Sequence, residues 1–348
     1  MDKIDFRSDT VSWPTPAMRE AMAKAPIGDD VYGEDPSINE LERLAAAKVG
    51  KEAGMFVTSG TMGNLTSVLA HAQRGDEAIV GYNSHVASSE AGGMAVLGSV
   101  TPRALPTDKF GRMDLAAVES AVRADDPHYP RSRLICVENS YGNAAGYPLE
   151  PDYFASIRQI ADRHNLQVHM DGARVFNAAV ALNVDVRQIT DHVDSLTFCL
   201  SKGLCAPVGS VVCGSEEFIY NARRVRKMVG GGMRQAGMMA AAGIVALHEM
   251  IERLADDHHH ARLLAEGLSQ IPGIEVDMEL VNTNMVYFNP SADSPFTVDE
   301  ITQMLRDKAN IWVGRRYTNH FRAVTHYWIG EAEVNLLVKT LREIMVIT

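Results

Sequence analysis

The sequence predicts an α/β fold, a mostly parallel β-sheet flanked by helices and followed by a smaller α+β unit. Three observations carry this expectation. Strand-like apolar runs alternate with amphipathic stretches through roughly the first 250 residues, the pattern of strand–helix–strand units. Past Pro272 and Gly273 the alternation resumes with shorter elements. The chain has 348 residues, beyond the size at which one core keeps growing, so a large domain with a small one is expected. The division falls at 1–248 and 249–348.

In chain order, the candidate strands of the large domain are 54–58, 77–81, 133–137, 166–170, 195–200 and 209–213, short apolar runs of the kind buried in a parallel sheet. The segment from Thr58 to Asn64 follows the first of them and opens a helix at 65–71. Residues 152–165 form an amphipathic helix. A long helix over 239–247, continued by the polar periodicity of 249–270, bridges to the small domain. There the pattern reads strand at 274–277 and 284–288, helix at 298–310, strand at 311–313 and helix at 332–345. No internal repeat or low-complexity tract interrupts it.

A hydrophobic fraction of 46% supports a packed core, and a net charge of −11 argues against nucleic acid or an anionic membrane as partner. Cys136, Cys199, Cys205 and Cys213 lie in or near apolar runs without metal-ligand spacing, so they read as reduced core thiols and no metal site is expected. Nor does the run Asp256 to His260 suggest one, since adjacent histidines point in different directions round a helix. The N-terminus shows no apolar signal region, and no stretch reaches the roughly eighteen apolar residues of a membrane helix. A cytoplasmic location is expected.

Two segments carry chemistry. The apolar run 166–170 delivers Asp171 at the C-terminal end of a buried strand, where α/β proteins build their sites. Downstream, Lys202 sits among small and apolar neighbours, the setting a lysine needs to act as an amine toward a carbonyl. Alone, either residue is more often a helix cap or a surface lysine. Together they suggest a pyridoxal-phosphate (PLP) enzyme, in which a carboxylate faces the pyridine nitrogen and a lysine carries the cofactor. Such a site needs one phosphate cradle. Ser59, Gly60 and Thr61, at a strand-to-helix turn with Gly63 close by, offer backbone amides and hydroxyls for it.

Ordered blocks along nearly the whole chain then carry a resemblance: residues 6–11, 28–36, 58–64, 90–93, 137–139, 169–174, 200–203, 230–235 and 322–326. The chain resembles the low-specificity L-threonine aldolases, within the fold type I (aspartate-aminotransferase-like) PLP enzymes and the β-eliminating-lyase superfamily. The resemblance implies a PLP-dependent transferase-like fold with a seven-stranded, mostly parallel sheet. It implies retro-aldol cleavage of L-threonine, L-allo-threonine or a bulkier phenylserine-type amino acid to glycine and an aldehyde. Lys202 would carry PLP, and Asp171 would pair with the pyridine nitrogen. His85 would stack on the ring and is the leading candidate base, with Glu90 orienting or assisting it. Arg174, Arg322 and Ser8 suit the substrate carboxylate, Arg174 also lying among the cofactor contacts, while Arg234 would reach the phosphate of its own or a neighbouring subunit. The segment 32–36, beginning at Tyr32, resembles a loop that reaches a neighbour's site, which implies a homo-oligomer, a dimer of dimers with the site at the dimer interface.

Two positions depart from the family pattern. Tyr141 stands where a histidine near the substrate hydroxyl is usual; it can donate a hydrogen bond but is a poor base at neutral pH. Cys205 replaces a usual glycine, and would either narrow the space beside Lys202 or fill the core. Two other readings remain open from sequence: a lyase that eliminates a β-substituent, releasing ammonia and a keto acid, and a non-catalytic PLP-fold binding protein.

Overall fold

The structure is a computed structural model that describes residues 3–316 and 319–346. After a short strand β1 (Ile4–Asp5), seven strands build the main sheet: β2 (Ala53–Val57), β3 (Glu77–Gly81), β4 (Thr101–Leu105), β5 (Ser132–Glu138), β6 (Gln167–Asp171), β7 (Ser195–Cys199) and β8 (Ser210–Gly214). Their order is β2-β8-β7-β6-β5-β3-β4. Neighbours from β4 to β7 pair in parallel, and β8 pairs antiparallel with both β7 and β2. The sheet is therefore mostly parallel, as the strand–helix alternation predicts, and seven-stranded, as the family resemblance implies. β3, β7 and β8 are buried along their whole length, which is why they read as continuous apolar runs rather than alternating ones.

Five further strands follow: β9 (Ile274–Val276), β10 (Met285–Pro290), β11 (Ile311–Trp312), β12 (Gly314–Arg316) and β13 (His320–Val324). Four of them form an antiparallel sheet in the order β12-β13-β10-β9, and β11 pairs in parallel with β1. Their core holds Phe288, Phe321, Leu305 and Leu337, and it also takes Phe6. The first residues of the chain thus sit with the C-terminal sheet, across the division drawn at 248. A larger core, running from Met18 to Leu254, underlies the main sheet.

The structure corrects the expected elements in three places. β1, β4, β12 and β13 are absent from the sequence reading. β4 lies at the sheet edge, largely exposed and carrying Pro102, so it lacks the apolar run that marks the inner strands. The helix expected over 239–270 is two helices, Gly237–Val245 and Leu254–Ser269, separated by a wide π-helical turn at Ala246–Met250. Buried positions 247, 250, 254, 257, 261, 264 and 268 continue the three-and-four spacing across the break, so periodicity passes over it unseen. The helix expected to open at Leu65 begins at Gly60, capped by the Ser59 hydroxyl, and the supposed cradle is its own first turn.

Cys205 is fully buried in the main core and adopts a left-handed φ of 61°. That conformation favours glycine, and cysteine holds it while filling the core. Among the described residues no helix is long and apolar enough to cross a membrane.

Candidate active site

The C-terminal ends of the parallel strands meet the β10–β13 sheet around one cavity of ≈ 370 Å³. Asp171 is the last residue of β6 and Glu138 the last of β5; His85 opens a short helix after β3, and Lys202 lies in the turn after β7. All four line the cavity together with Ser8, Arg174 and Arg322. Six of the expected site residues, Lys202, Asp171, His85, Ser8, Arg174 and Arg322, thus line one cavity. Glu90 stands one hydrogen bond behind, its Oε1 2.7 Å from His85 Nδ1.

Ser59, Gly60 and Thr61 are not lining residues of that cavity. They stand at the helix N-terminus one turn before Asn64, whose side chain touches Asp171. Gly63 is pressed against β7; a Cβ there would lie 2.4 Å from Thr197. Ser59 caps the Met62 amide, and the first-turn amides of Gly60 and Thr61 lack intrahelical partners.

Tyr32 and Arg234 also lie off the cavity, grouped on the surface. Tyr32 is 74% exposed, and the Arg234 guanidinium sits 5.9 Å from its ring and is paired with Asp29. Tyr141 is not among the residues lining the cavity: its ring fills the space above Gly111, where a Cβ would approach within 2.2 Å. Its hydroxyl is buried, and the nearby Thr107 does not give it a well-formed hydrogen bond.

The electrostatics are set by two buried arrays. In the first, Asn64 Nδ2 donates to Glu90 Oε1 at 2.8 Å and to Asp171 Oδ2 at 2.9 Å, and His85 Nδ1 lies 3.9 Å from Asp171 Oδ2. The hydrogen bond to Glu90 raises the His85 pKa above its usual value, against burial and with help from Asp171. Burial raises Glu90 in turn. His85, Glu90 and Asp171 bring donor atoms within 4.8 Å of one another; His85 and Glu90 are five positions apart, while Asp171 joins them from β6, a meeting no sequence spacing reveals, and Asn64 already occupies two of those oxygens. Glu138, buried beside Asp171, is pushed up to about 7 although its carboxylate accepts the amides of His85 and Gly142.

In the second array Arg174 is committed before any substrate arrives. Its Nε and Nη2 hold both oxygens of the fully buried Asp9, at 2.7 and 2.6 Å. Burial alone would raise Asp9, but the guanidinium overcomes it and holds the carboxyl well below the usual range. Arg322 donates to the Arg7 carbonyl at 3.0 Å, and burial together with Arg174 lowers its pKa. Two guanidiniums close enough to repel form a ready anion site. Sequence reasoning did not single out Asp9, Asn64 or Glu138, and only the matched blocks containing them pointed their way.

A seven-stranded, mostly parallel sheet that presents a lysine, a carboxylate and a histidine to one cavity at its strand ends defines a PLP-dependent enzyme of fold type I. Residues 5–291 match the beta-eliminating lyase family. The low-specificity L-threonine aldolase 1 of Arabidopsis thaliana is 44% identical over 99% of this chain and 97% of its own length. The low specificity L-threonine aldolase of Escherichia coli K12 is 43% identical over 85% and 87%. Among solved structures, a Leishmania major threonine aldolase superposes with a TM-score of 0.82 at 18% identity, covering 99% of this chain and all (100%) of that one. A Sphingomonas wittichii serine palmitoyltransferase gives 0.77 at 15% identity, over 98% and 86%. The chain belongs to the beta-eliminating lyase family.

Proposed function

We propose that this protein cleaves β-hydroxy-α-amino acids, L-threonine foremost, into glycine and an aldehyde, with PLP as cofactor. The observation that carries the reading is the convergence of Lys202, Asp171, His85 and Arg322 on one cavity, in a chain whose relatives are named for the threonine reaction.

The residues present fit the cofactor. Asp171 offers a carboxylate, supported by Asn64, for the pyridine nitrogen, and Lys202 offers the amine for the aldehyde carbon. The uncapped amides at Gly60 and Thr61, one turn from Asn64, suit the phosphate. When bound, PLP supplies an electron sink for the pair released as the Cα–Cβ bond breaks.

The protein's own groups do the rest. Arg322 takes the substrate carboxylate, helped by the Ser8 hydroxyl and by whichever Arg174 hydrogens Asp9 leaves free. Glu90 keeps the His85 proton on Nδ1, so Nε2 is the basic nitrogen for the β-hydroxyl proton. Glu138 clamps the His85 and Gly142 backbones and thereby sets where that imidazole stands.

Glu90→Gln tests the pair. A protonated His85 cannot act as base, so activity rises with pH through its pKa. Removing the carboxylate that raises this pKa is expected to move the acid limb of kcat/KM to lower pH. An unmoved limb, or one displaced upward, would remove His85 from the role. Tyr141→Phe is expected to keep parental turnover, since the residue does not line the cavity and its hydroxyl is buried. A loss of about tenfold, or roughly 1.4 kcal/mol of barrier, would put that hydroxyl into the reaction.

The exposed Tyr32 and Arg234, which do not line the cavity of their own chain, support a homo-oligomer in which this patch completes a neighbour's site. The activity itself is tested by product analysis of the PLP-loaded protein with L-threonine, L-allo-threonine and L-phenylserine. Glycine with the matching aldehyde is expected. Ammonia with a keto acid would instead place the protein on the β-eliminating branch.

A further inference from the structure

Behind the cavity wall, Asn64 leads into a line of buried polar side chains that the reaction does not touch. Asn64 Oδ1 lies 3.1 Å from His169 Nε2, His169 Nδ1 lies 2.8 Å from Ser195 Oγ, and Ser195 Oγ lies 2.7 Å from His71 Nε2. Asn64, His169 and Ser195 are 1%, 0% and 0% exposed. Burying this many polar groups is costly unless each is satisfied by the next.

The direction of every hydrogen bond in the line follows from its cavity end. Ionised carboxylates only accept, so the Asn64 amide must turn Nδ2 toward Glu90 and Asp171 and its oxygen toward His169. His169 must then carry its proton on Nε2. Burial lowers His169 to about 3 and His71 to about 4, so both rings are neutral at physiological pH. The bare Nδ1 of His169 therefore accepts the Ser195 hydroxyl proton. Ser195 in turn accepts from His71 Nε2–H. Reversing any member sets two acceptors or two donors face to face.

We propose that Asn64, His169, Ser195 and His71 form a one-directional hydrogen-bond chain that keeps Asp171 aimed into the cavity, with His169 as a positioning residue that touches neither substrate nor cofactor. The inference rests on Asp171 being the partner of the pyridine nitrogen. It adds that the tautomer of a histidine two residues upstream on β6, the central strand of the seven, governs how that partner is held. His169 and Asp171, two apart on β6, share one face of the sheet and meet the same Asn64 side chain, and His169 spans from the helix Gly60–His71 to Ser195 on β7.

The other ionisable groups around Asp171 are His85, Glu90, Glu138, Lys202 and Cys136, and of these Glu90 also takes a hydrogen bond from Asn64. The test uses PLP-loaded protein and two readouts: the PLP dissociation constant, and the pH midpoint of the bound cofactor's visible absorbance. Asp171→Asn is the reference; if it moves neither readout, the assignment of Asp171 fails and the inference with it. Given a shift in that reference, Asn64→Leu and His169→Phe, neither of which adds a charge, are expected to displace the midpoint in the same direction and to weaken PLP binding by roughly tenfold, the scale at which lost outer partners act at metal sites. His169→Gln, which keeps a donor for Asn64, is expected to recover part of the loss. Should His169→Phe fail to fold, Ser195→Ala, which deletes one hydroxyl, carries the test with a smaller displacement of the same sign. Unchanged midpoint and affinity in the folded variants, beside a shifted Asp171→Asn, would overturn the chain.

Discussion

Lys202→Ala is expected to abolish L-threonine cleavage and the visible absorbance of covalently held PLP, while leaving the unfolding transition close to that of the parent. The side chain lines the cavity at the turn after β7, and its charge is felt by both Asp9 and His85. Among the described residues no other lysine lines that cavity, so a second amine does not stand ready to take over the attachment. The side chain is not part of the apolar core, so its loss opens no cavity there. The check pairs a glycine-release assay with the absorbance of the dialysed variant. Parental turnover would sink the reading of the site.

Asp9→Ala carries the largest expected effect on stability. The pair with Arg174 is bidentate and almost fully enclosed, the side chains being 0% and 10% exposed. Removing one partner leaves a buried guanidinium uncompensated, an error that costs about 3–5 kcal/mol. The pH dependence has a definite sign. Asp9 is depressed in the fold, so its contribution is complete above the ordinary carboxylate value and is lost only as pH falls through the depressed one. The gap in denaturation midpoint between parent and variant should therefore stay level through the neutral range and narrow only in strong acid. A gap that closes on mild acidification, or a cost under about 1 kcal/mol, the range of exposed pairs, would show the pair to be open to solvent.

Sequence reading located Lys202, Asp171, His85, Ser8, Arg174 and Arg322, and the structure brings all six to one cavity. It had no means of placing Asp9 against Arg174, which are 165 positions apart, or of seeing that this contact occupies most of the arginine fork offered to the substrate. Tyr141 shows the same limit. Its position in the block after β5 is legible, but the direction of its ring depends on the absent side chain at Gly111. The broken helix after Gly237 escaped because its buried positions keep one spacing through the break.

What the sequence determined by itself is therefore local: the buried strands, their order along the chain, and the delivery of Asp171 and Lys202 at strand ends, because an apolar run and the residue closing it are neighbours in the chain. Only the tertiary structure decided which carboxylates pair, which way Asn64 and His169 turn, and which hydroxyls face the cavity. Those choices are made by hydrogen bonds and packing between segments far apart in sequence, where each partner is chosen by distance and burial rather than by spacing.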